Sequence, residues 1–419
     1  MKTVTCCSDE FDPSALTVEQ ALAYFDQQLT PVVGKEQVAI RKALGRVAAS
    51  TITAPASVPP FHASSMDGYA VKATDLPQTG QAQLNVVTTV FAGQPSDQVI
   101  QQGECARIFT GAPLPKGTDT VIMQEKVTRQ DDVMTIEAEH RAQQFVTPKG
   151  ADIAEGDTII PQGKRLTAAD IGLLASLGIF EIGVIRRVRV AFFSTGDELC
   201  SAGEQLKAGQ IYDSNRYTLY SLLQQLDVNL TDMGVIPDQP LLIKDALLQA
   251  ATDHDVVITS GGVSVGEADY VTEILQDIGT MNFWKIAMKP GRPLSFGYIG
   301  DSVFFGLPGN PVSVMATFQQ FVQHALRIMI GVQTSRPLRF SVPCVDSLRK
   351  AAGRVEFQRG ILHYNQQGEL VVRSTGVQRS STLRSMSDGN CFIILPLDCT
   401  YIEAGEQVLV EPWEMSITV

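Results

Sequence analysis

The stretch VVITSGGVSVGEADY, residues 256–270, opens on four β-branched residues and breaks into Ser260-Gly261-Gly262. A short apolar run bounded by a glycine turn is the pattern of a buried strand. The small residues after it let backbone N–H groups approach an anion. The second half of the stretch adds two acids, Glu267 and Asp269. Carboxylates repel phosphate. A hard cation reconciles the two halves, because Mg2+ is held by one or two acids together with phosphate oxygens.

The segments around this stretch set the expected fold. Residues 188–193 and 228–236 read as strands, and 214–226 and 240–251 as helices, with Asp238 a plausible N-cap of the second helix. A helix is expected near 268–278, extended pieces over 283–288, 294–298 and 303–306, and a long helix over 312–330. Alternation at this spacing predicts a doubly wound, mainly parallel α/β domain. Upstream, residues 17–29 form an amphipathic helix opened by the capping box Thr17–Gln20, and 167–177 a helix closed by Gly178. Between them, short β-rich runs alternate with Gly/Pro turns. After Arg336-Pro337 the helical period disappears, which predicts a small β-barrel.

Composition narrows the function. The chain has 419 residues, too many for one core, with 44% hydrophobic and 19% charged residues and a net charge of −12. That balance argues against a broad nucleic-acid surface. Seven cysteines without a CxxC pair predict reduced thiols rather than a disulfide framework or zinc ribbon. The start, MKTVTCCSDEFD, lacks an apolar core like that of a secretion signal. The longest apolar stretch, 171–185, contains Glu181 and three glycines, so no membrane span is expected. A cytoplasmic protein fits these features.

In an open α/β sheet, ligands sit beyond the carboxyl ends of the strands. Three segments leave such ends here: FFSTGDEL with Ser194, Thr195, Gly196, Asp197 and Glu198; GVIPDQ with Asp238; and the stretch quoted first. Taken singly, Asp197 and Glu198 also read as a solvated turn. KPGRP (289–293) presents Lys289 and Arg292 in a stiff turn, and GLPGNPVS (306–313) leads through Pro308 and Pro311 to Ser313 in a helix's first turn. A plain structural loop is the rival reading. SSMDGYAV with Asp67, FTGAPLPKG with Thr110 and PKGADIAEGD with Asp152 read locally as turns and loops.

In this order, SSMDGYAV, FTGAP, GADI, STGDEL, GQIYDSN, TSGGVSVGEADY, KPGRP, GLPGNPVS and FQRG span nearly the whole chain. They resemble the MoeA family of molybdopterin molybdenumtransferases, represented also by the E domain of gephyrin-like proteins. The resemblance implies four domains: a split linker domain (14–55 and 151–187, with helix 17–29 packing on the α/β domain), a β-rich insert (56–150), an α/β molybdopterin-binding domain (188–336) and a C-terminal β-barrel (337–419). It implies a homodimer with an active site between the α/β domain of one subunit and the insert of the other. The implied reaction inserts molybdate into the dithiolene of adenylated molybdopterin, with Mg2+-dependent cleavage of the adenylate and release of AMP. Contacts with molybdopterin adenylyltransferase and with molybdoenzyme maturation factors follow as expectations.

Matched by motif, the functional set is Asp67, Thr110, Asp152, Glu198, Asp238 and Asp269, of which Glu198, Asp238 and Asp269 are the expected Mg2+ ligands. Substrate contacts fall on Ser194, Thr195, Gly196 and Asp197 and on Ser260, Gly261, Gly262, Ser264 and Gly266, with Pro308 and Pro311 shaping the pocket. Lys289, Arg292, Ser313, Arg359 and Ser385 form the implied molybdate site. Glu267 receives no role. Two departures stand out. The basic run that many members carry before Asp152 is reduced to Lys149, and Arg292 replaces the commoner lysine while keeping the charge. The rival readings are a pterin adenylyltransferase or nucleotide pyrophosphatase built on the same α/β domain, a non-catalytic molybdopterin-binding scaffold, and a tungstate-inserting homologue.

Overall fold

A computed structural model describes residues 14–261, 270–332 and 336–413. Gly262, Ser264, Gly266, Glu267 and Asp269 lie outside the described residues. The chain divides into two compact units, Met1–Glu36 with Ile185–Val419, and Gln37–Val184.

The first unit holds a sheet of six strands: β1 (Arg189–Thr195), β2 (Asn229–Ile236), β3 (Val256–Ser260), β4 (Thr280–Lys285), β5 (Pro293–Ile299) and β6 (Ser302–Leu307), in the order β2-β1-β3-β6-β5-β4. β2, β1, β3 and β6 run parallel, and β5 and β4 are antiparallel to their neighbours. Parallel strands need cover on both faces, which is why β3 and β6 are buried throughout. Alternate residues feed two cores. Phe192, Ile258 and Phe305 point into one, and Ala191, Phe193, Val257 and Phe304 into the other.

The first core also takes helix Val18–Gln28, opened by the expected Thr17–Gln20 box. Its Phe25 lies 4.8 Å from the Phe296 ring and 5.8 Å from Phe305. Burying such a ring contributes about 2–3 kcal/mol. The second core is closed by Ile243, Leu247 and Ala250 of the helix Pro240–Asp253. The chain passes from β1 outward to β2 and then returns to the far side of β1 as β3. The strand order therefore reverses between β1 and β3, where Ser194 faces Ser260 in register. Such a reversal opens a crevice for ligands.

Two local expectations need correction. Asp238 does not cap the helix Pro240–Asp253: Gln239 holds the N-cap position without a side-chain cap bond, and Pro240 enters the first turn. Proline has no N–H to satisfy there, so the helix starts without a carboxylate. The long helix is interrupted: Pro311–Thr317 and Gln323–Ile330 are joined by a π-helical segment, Phe318–Val322, before Gly331 ends it at φ 85°.

In the tail, Val355–Tyr364, Cys391–Leu395, Gln407–Pro412 and Phe340–Pro343 follow one another edge to edge, and Leu370–Ser374 pairs on the other side of Val355–Tyr364. A bridge between Cys344 and Val372 closes the circuit into a small barrel around Val342, Ile393 and Val410. Met288–Lys289 adds to this barrel, with Lys289 opposite Glu356. The basic KPGRP turn is thus joined to the tail by main-chain hydrogen bonding.

The second unit contains its own six-stranded sheet, in the order Thr120–Met123, Gly68–Val71, Glu104–Ile108, Gln81–Val90, Val133–Glu137 and Val127–Gln130. Tyr69, Leu84 and Ile122 fill one face; Ala70, Val90 and Ile108 fill the other. Helix Ala168–Ser176 has a Thr167–Asp170 capping box, and Gly178 follows at φ 71°. No helix among the described residues is long and apolar enough to cross a membrane.

Candidate active site

β1, β2, β3 and β6 end side by side, so Thr195, Ile236, Ser260 and Leu307 form one rim. Beyond it the chain turns at Gly196 (φ 148°) and Gly261 (φ 92°), conformations that other residues adopt only with strain. A Cβ on Gly261 would come within 2.8 Å of the Thr195 carbonyl, and one on Gly196 within 2.7 Å of the Glu198 carboxylate. Glycine is required at both positions, and Glu198 folds back over the first. The Gly261 N–H donates to the Leu307 carbonyl at 3.1 Å. It completes the sheet and is not offered to an anion, which narrows the cradle expected from Ser-Gly-Gly.

Three acids converge at this rim. The Asp238 backbone N–H donates to Asp197 Oδ1 at 3.1 Å. Burial, together with the nearby charges of Asp197 and Glu198, pushes the Asp238 carboxyl above its ordinary range. Among the described residues, no group of three or more Asp, Glu, His or Cys side chains is placed to hold a metal ion by itself. A hard cation completed by ligand phosphates needs no such group, so the oxygen donors present fit Mg2+.

Beside the acids lie polar groups that the protein leaves unsatisfied. The buried atoms Ser194 Oγ, Thr195 Oγ1 and Asn215 Oδ1 have no hydrogen-bond partner among the described residues. Buried polar atoms are nearly always paired, so a concentration of orphans at a strand-order reversal marks a ligand site. Asn215 emerges only from the fold. Its Nδ2 donates to Ser260 Oγ at 2.9 Å and to the Gly309 carbonyl at 2.7 Å, tying three loops together. In sequence, Asp213-Ser214-Asn215 reads as a helix start, and Asp213 does cap that helix through the Arg216 N–H. That capping signal hides Asn215. A cavity of about 510 Å3 opens alongside, lined by Gly196, Asp197, Arg216, Gly234 and Pro237 among others.

The basic candidates also assemble. Ser313 is buried in the first turn of Pro311–Thr317, and the Val312 N–H donates to the Ser380 carbonyl at 3.2 Å. Arg359 is buried, and donates from Nε to Ser385 Oγ at 3.0 Å and from Nη2 to the Arg379 carbonyl at 3.1 Å. Burial lowers its pKa to about 10, so it stays charged at neutral pH. Both of those acceptors are neutral, and the charge that acts on the guanidinium from within the protein is that of the buried Glu356. Lys289 lies 3.8 Å from the buried Glu356. A Cβ on Gly291 would stand 3.6 Å from the Ser313 carbonyl, which brings the turn carrying Arg292 against the same helix. Pro308 is buried at the end of β6, and Pro311 occupies the helix's first turn.

In the second unit the structure joins Asp67 to Thr110. Asp67 Oδ1 accepts from the Thr110 N–H at 2.8 Å and from Thr110 Oγ1 at 2.7 Å. The backbone bond, then the hydroxyl bond, hold the Asp67 carboxyl below its usual range. Asp152 is exposed, and its N–H donates to the Val58 carbonyl instead of joining this pair. Thr110→Val should therefore raise the Asp67 pKa, read from its carboxyl NMR titration. A depressed carboxylate favours the folded state above its unfolded pKa, and that contribution fades as pH falls through the folded value. An unchanged titration would show that the hydroxyl does not matter.

A strand-order reversal rimmed by acids and unsatisfied hydroxyls, with a buried guanidinium in the adjoining barrel, is the arrangement of a doubly wound α/β protein with a ligand crevice at its strand ends. Known proteins narrow that class. Residues 16–178 match the MoeA N-terminal region (domain I and II), 191–328 the "Probable molybdopterin binding domain" and 341–413 the MoeA C-terminal region (domain IV). The chain belongs to the MoeA family. It is 42% identical over 400 residues to a molybdopterin molybdenumtransferase of Haemophilus influenzae, covering 95% of this chain and 98% of that one. It is 36% identical over 383 residues to one from Nostoc, covering 90% and 88%. The crystal structure of a molybdopterin biosynthesis MoeA protein from Pyrococcus horikosii superposes with a TM-score of 0.82 at 31% identity, covering 95% and 99%.

Proposed function

We propose that this chain is a transferase of molybdenum cofactor biosynthesis, inserting molybdate into the dithiolene of adenylated molybdopterin and releasing AMP. The observation that carries this reading is the row of unsatisfied buried atoms, Ser194 Oγ, Thr195 Oγ1 and Asn215 Oδ1, beside converging carboxylates. A phosphorylated heterocycle with many donors and acceptors suits such a rim. Ser194 and Thr195 bind the substrate's polar edge, while Gly196 and Gly261 keep the turns close to it. Glu198 and Asp238, together with Asp269, would hold Mg2+, which when bound would supply Lewis-acid neutralisation of charge on the phosphate. Arg359, Lys289 and Arg292 supply positive charge to molybdate, and Ser313 and Ser385 supply hydroxyl donors. Asp67, Thr110 and Asp152 complete the functional set.

The protein is assigned as a cytoplasmic homodimer that passes its product to molybdoenzyme maturation factors. Cys105, Cys200, Cys344, Cys391 and Cys399 are free thiols, as a reducing compartment would keep them. The test supplies purified protein with adenylated molybdopterin, molybdate and Mg2+ and measures AMP and active cofactor. AMP release that depends on both ions is expected. Its absence would overturn the transferase reading, and ligand binding without release would leave a scaffold. A parallel reaction with tungstate measures the preference between oxyanions.

A further inference from the structure

Arg359 stands where its strand lacks one neighbour. Val355–Tyr364 pairs with Cys391–Leu395 along one edge. Along the other it pairs with Met288–Lys289 as far as Glu356, and with Leu370–Ser374 from Gly360 onward. Between these two, Arg359 faces no strand on that edge among the described residues. The Gln378 side chain takes the place of the missing strand residue. Its Oε1 accepts from the Arg359 N–H at 2.8 Å, and its Nε2 donates to the Arg359 carbonyl at 3.1 Å. A side-chain amide carries the same donor and acceptor as a peptide group, so it closes the ladder as a strand would. Nε2 also lies 3.0 Å from Ser374 Oγ, which fixes the amide against the end of the neighbouring strand.

The two residues after Gln378 continue the same connection. The Arg379 carbonyl accepts from Arg359 Nη2 at 3.1 Å. The Ser380 carbonyl accepts from the N–H of Val312, the residue before Ser313, at 3.2 Å. Gln378, Arg379 and Ser380 thus tie, in order, the main chain of Arg359, its guanidinium, and the helix turn that carries Ser313. Of the three, only Gln378 acts through its side chain, so its tie is the one that substitution cuts. Arg359 is 1% exposed, and its place is set by these contacts and by Ser385 Oγ instead of by water. A guanidinium recognises an anion through a planar fork of N–H groups. A turn of its backbone misdirects that fork while leaving the charge in place. A binding site with loose supports is weak even when all its ligands are present.

We propose that Gln378 is a positioning residue for the oxyanion site, its amide holding the Arg359 backbone so that the guanidinium is presented to molybdate; this rests on the transferase reading. Gln378→Met keeps the length and removes both hydrogen bonds. Gln378→Asn keeps the amide but is one methylene short, so it cannot reach both groups. With the full-length protein, the KM for molybdate should rise about tenfold in either variant while kcat stays within about twofold, since the guanidinium binds the oxyanion alike in ground and transition states. The KM for adenylated molybdopterin should stay within about twofold. The effect should pass through Arg359. In an Arg359→Lys background, adding Gln378→Met should change the KM for molybdate by no more than about twofold, because a flexible lysine has no fork to aim.

If wild type releases AMP and both variants match it in KM for molybdate, the positioning role is overturned and the transferase reading stands. If wild type releases no AMP, the transferase reading fails, and calorimetric titration with sodium molybdate decides the role of Gln378. Binding about tenfold weaker in Gln378→Met then supports it, while equal binding, or none to either protein, overturns it. A parallel rise in KM for both substrates would mark a general loosening of the fold and overturn it. Full additivity of Gln378→Met with Arg359→Lys would do the same, since the glutamine would then act on something other than Arg359.

Discussion

Asp238→Asn should lower Mg2+-dependent AMP release on the order of a hundredfold, with little change in the unfolding temperature. The side chain does not cap the helix that follows it, so the amide costs the helix no bond. It lies among like charges: burial and the neighbouring Asp197 and Glu198 push its carboxyl upward, and its own N–H donates to Asp197 Oδ1. Such a cluster is electrostatically costly by itself and becomes favourable when a cation sits within it. Asparagine keeps the shape and removes one negative charge, so the loss falls on cation binding and on charge neutralisation at the leaving phosphate. Losses of this size are typical when one preorganised electrostatic contact is removed. The Mg2+ concentration for half-maximal rate should also rise, and a titration of rate against Mg2+ reads both effects. Full activity at low Mg2+ in Asp238→Asn would remove this residue from the metal-binding set.

The second large effect is on stability. Asp255→Asn should destabilise the chain by about 2–3 kcal/mol, measured by urea unfolding at neutral pH. Asp255 immediately precedes β3, at the end of the strand opposite the candidate site. Its carboxylate accepts from Arg186 Nη1 at 2.7 Å and Nη2 at 2.8 Å, and from the Arg189 N–H at 2.8 Å. The estimate sits below that for a fully buried pair because Arg189 is half exposed and screened by water. Burial alone would raise the Asp255 pKa, but hydrogen bonds from Arg186 and Arg189 outweigh it and hold the carboxyl well below the usual range. A group with a depressed folded pKa contributes fully above its unfolded value near 4 and loses that contribution as pH falls. The gap between wild type and Asp255→Asn should therefore be widest at neutral pH and narrow below about pH 4. A gap independent of pH would assign the loss to packing.

The two acids show how differently sequence exposes structure. The strands around them were legible because β-branched runs and glycine turns act locally. Residues 188–193 and 303–306 correspond to the observed β1 and β6, with end shifts of one or two residues. In sequence Asp238 reads both as a cap and as a strand-end acid, because Asp before a proline-opened helix has that local meaning; the meeting of β1 and β2 leaves the second reading, with Asp197 and Glu198 beside it. The role of Asp255 is not legible in sequence, because its partners Arg186 and Arg189 are more than sixty residues away along the chain.

Residue order alone carried the doubly wound alternation, the capping box at Thr17, the helix closed by Gly178, and the run of motifs that leads to the MoeA family. These depend on periodicity, on hydrogen bonds spanning three residues and on residue identity, all of which a linear string holds. Tertiary structure alone decided that Gly261 spends its N–H on Leu307, that Asn215 ties three loops together, and that Phe91 stacks on Phe109. Each is a contact between segments far apart in the chain. Their distance is set by strand order and register, and no short stretch encodes either.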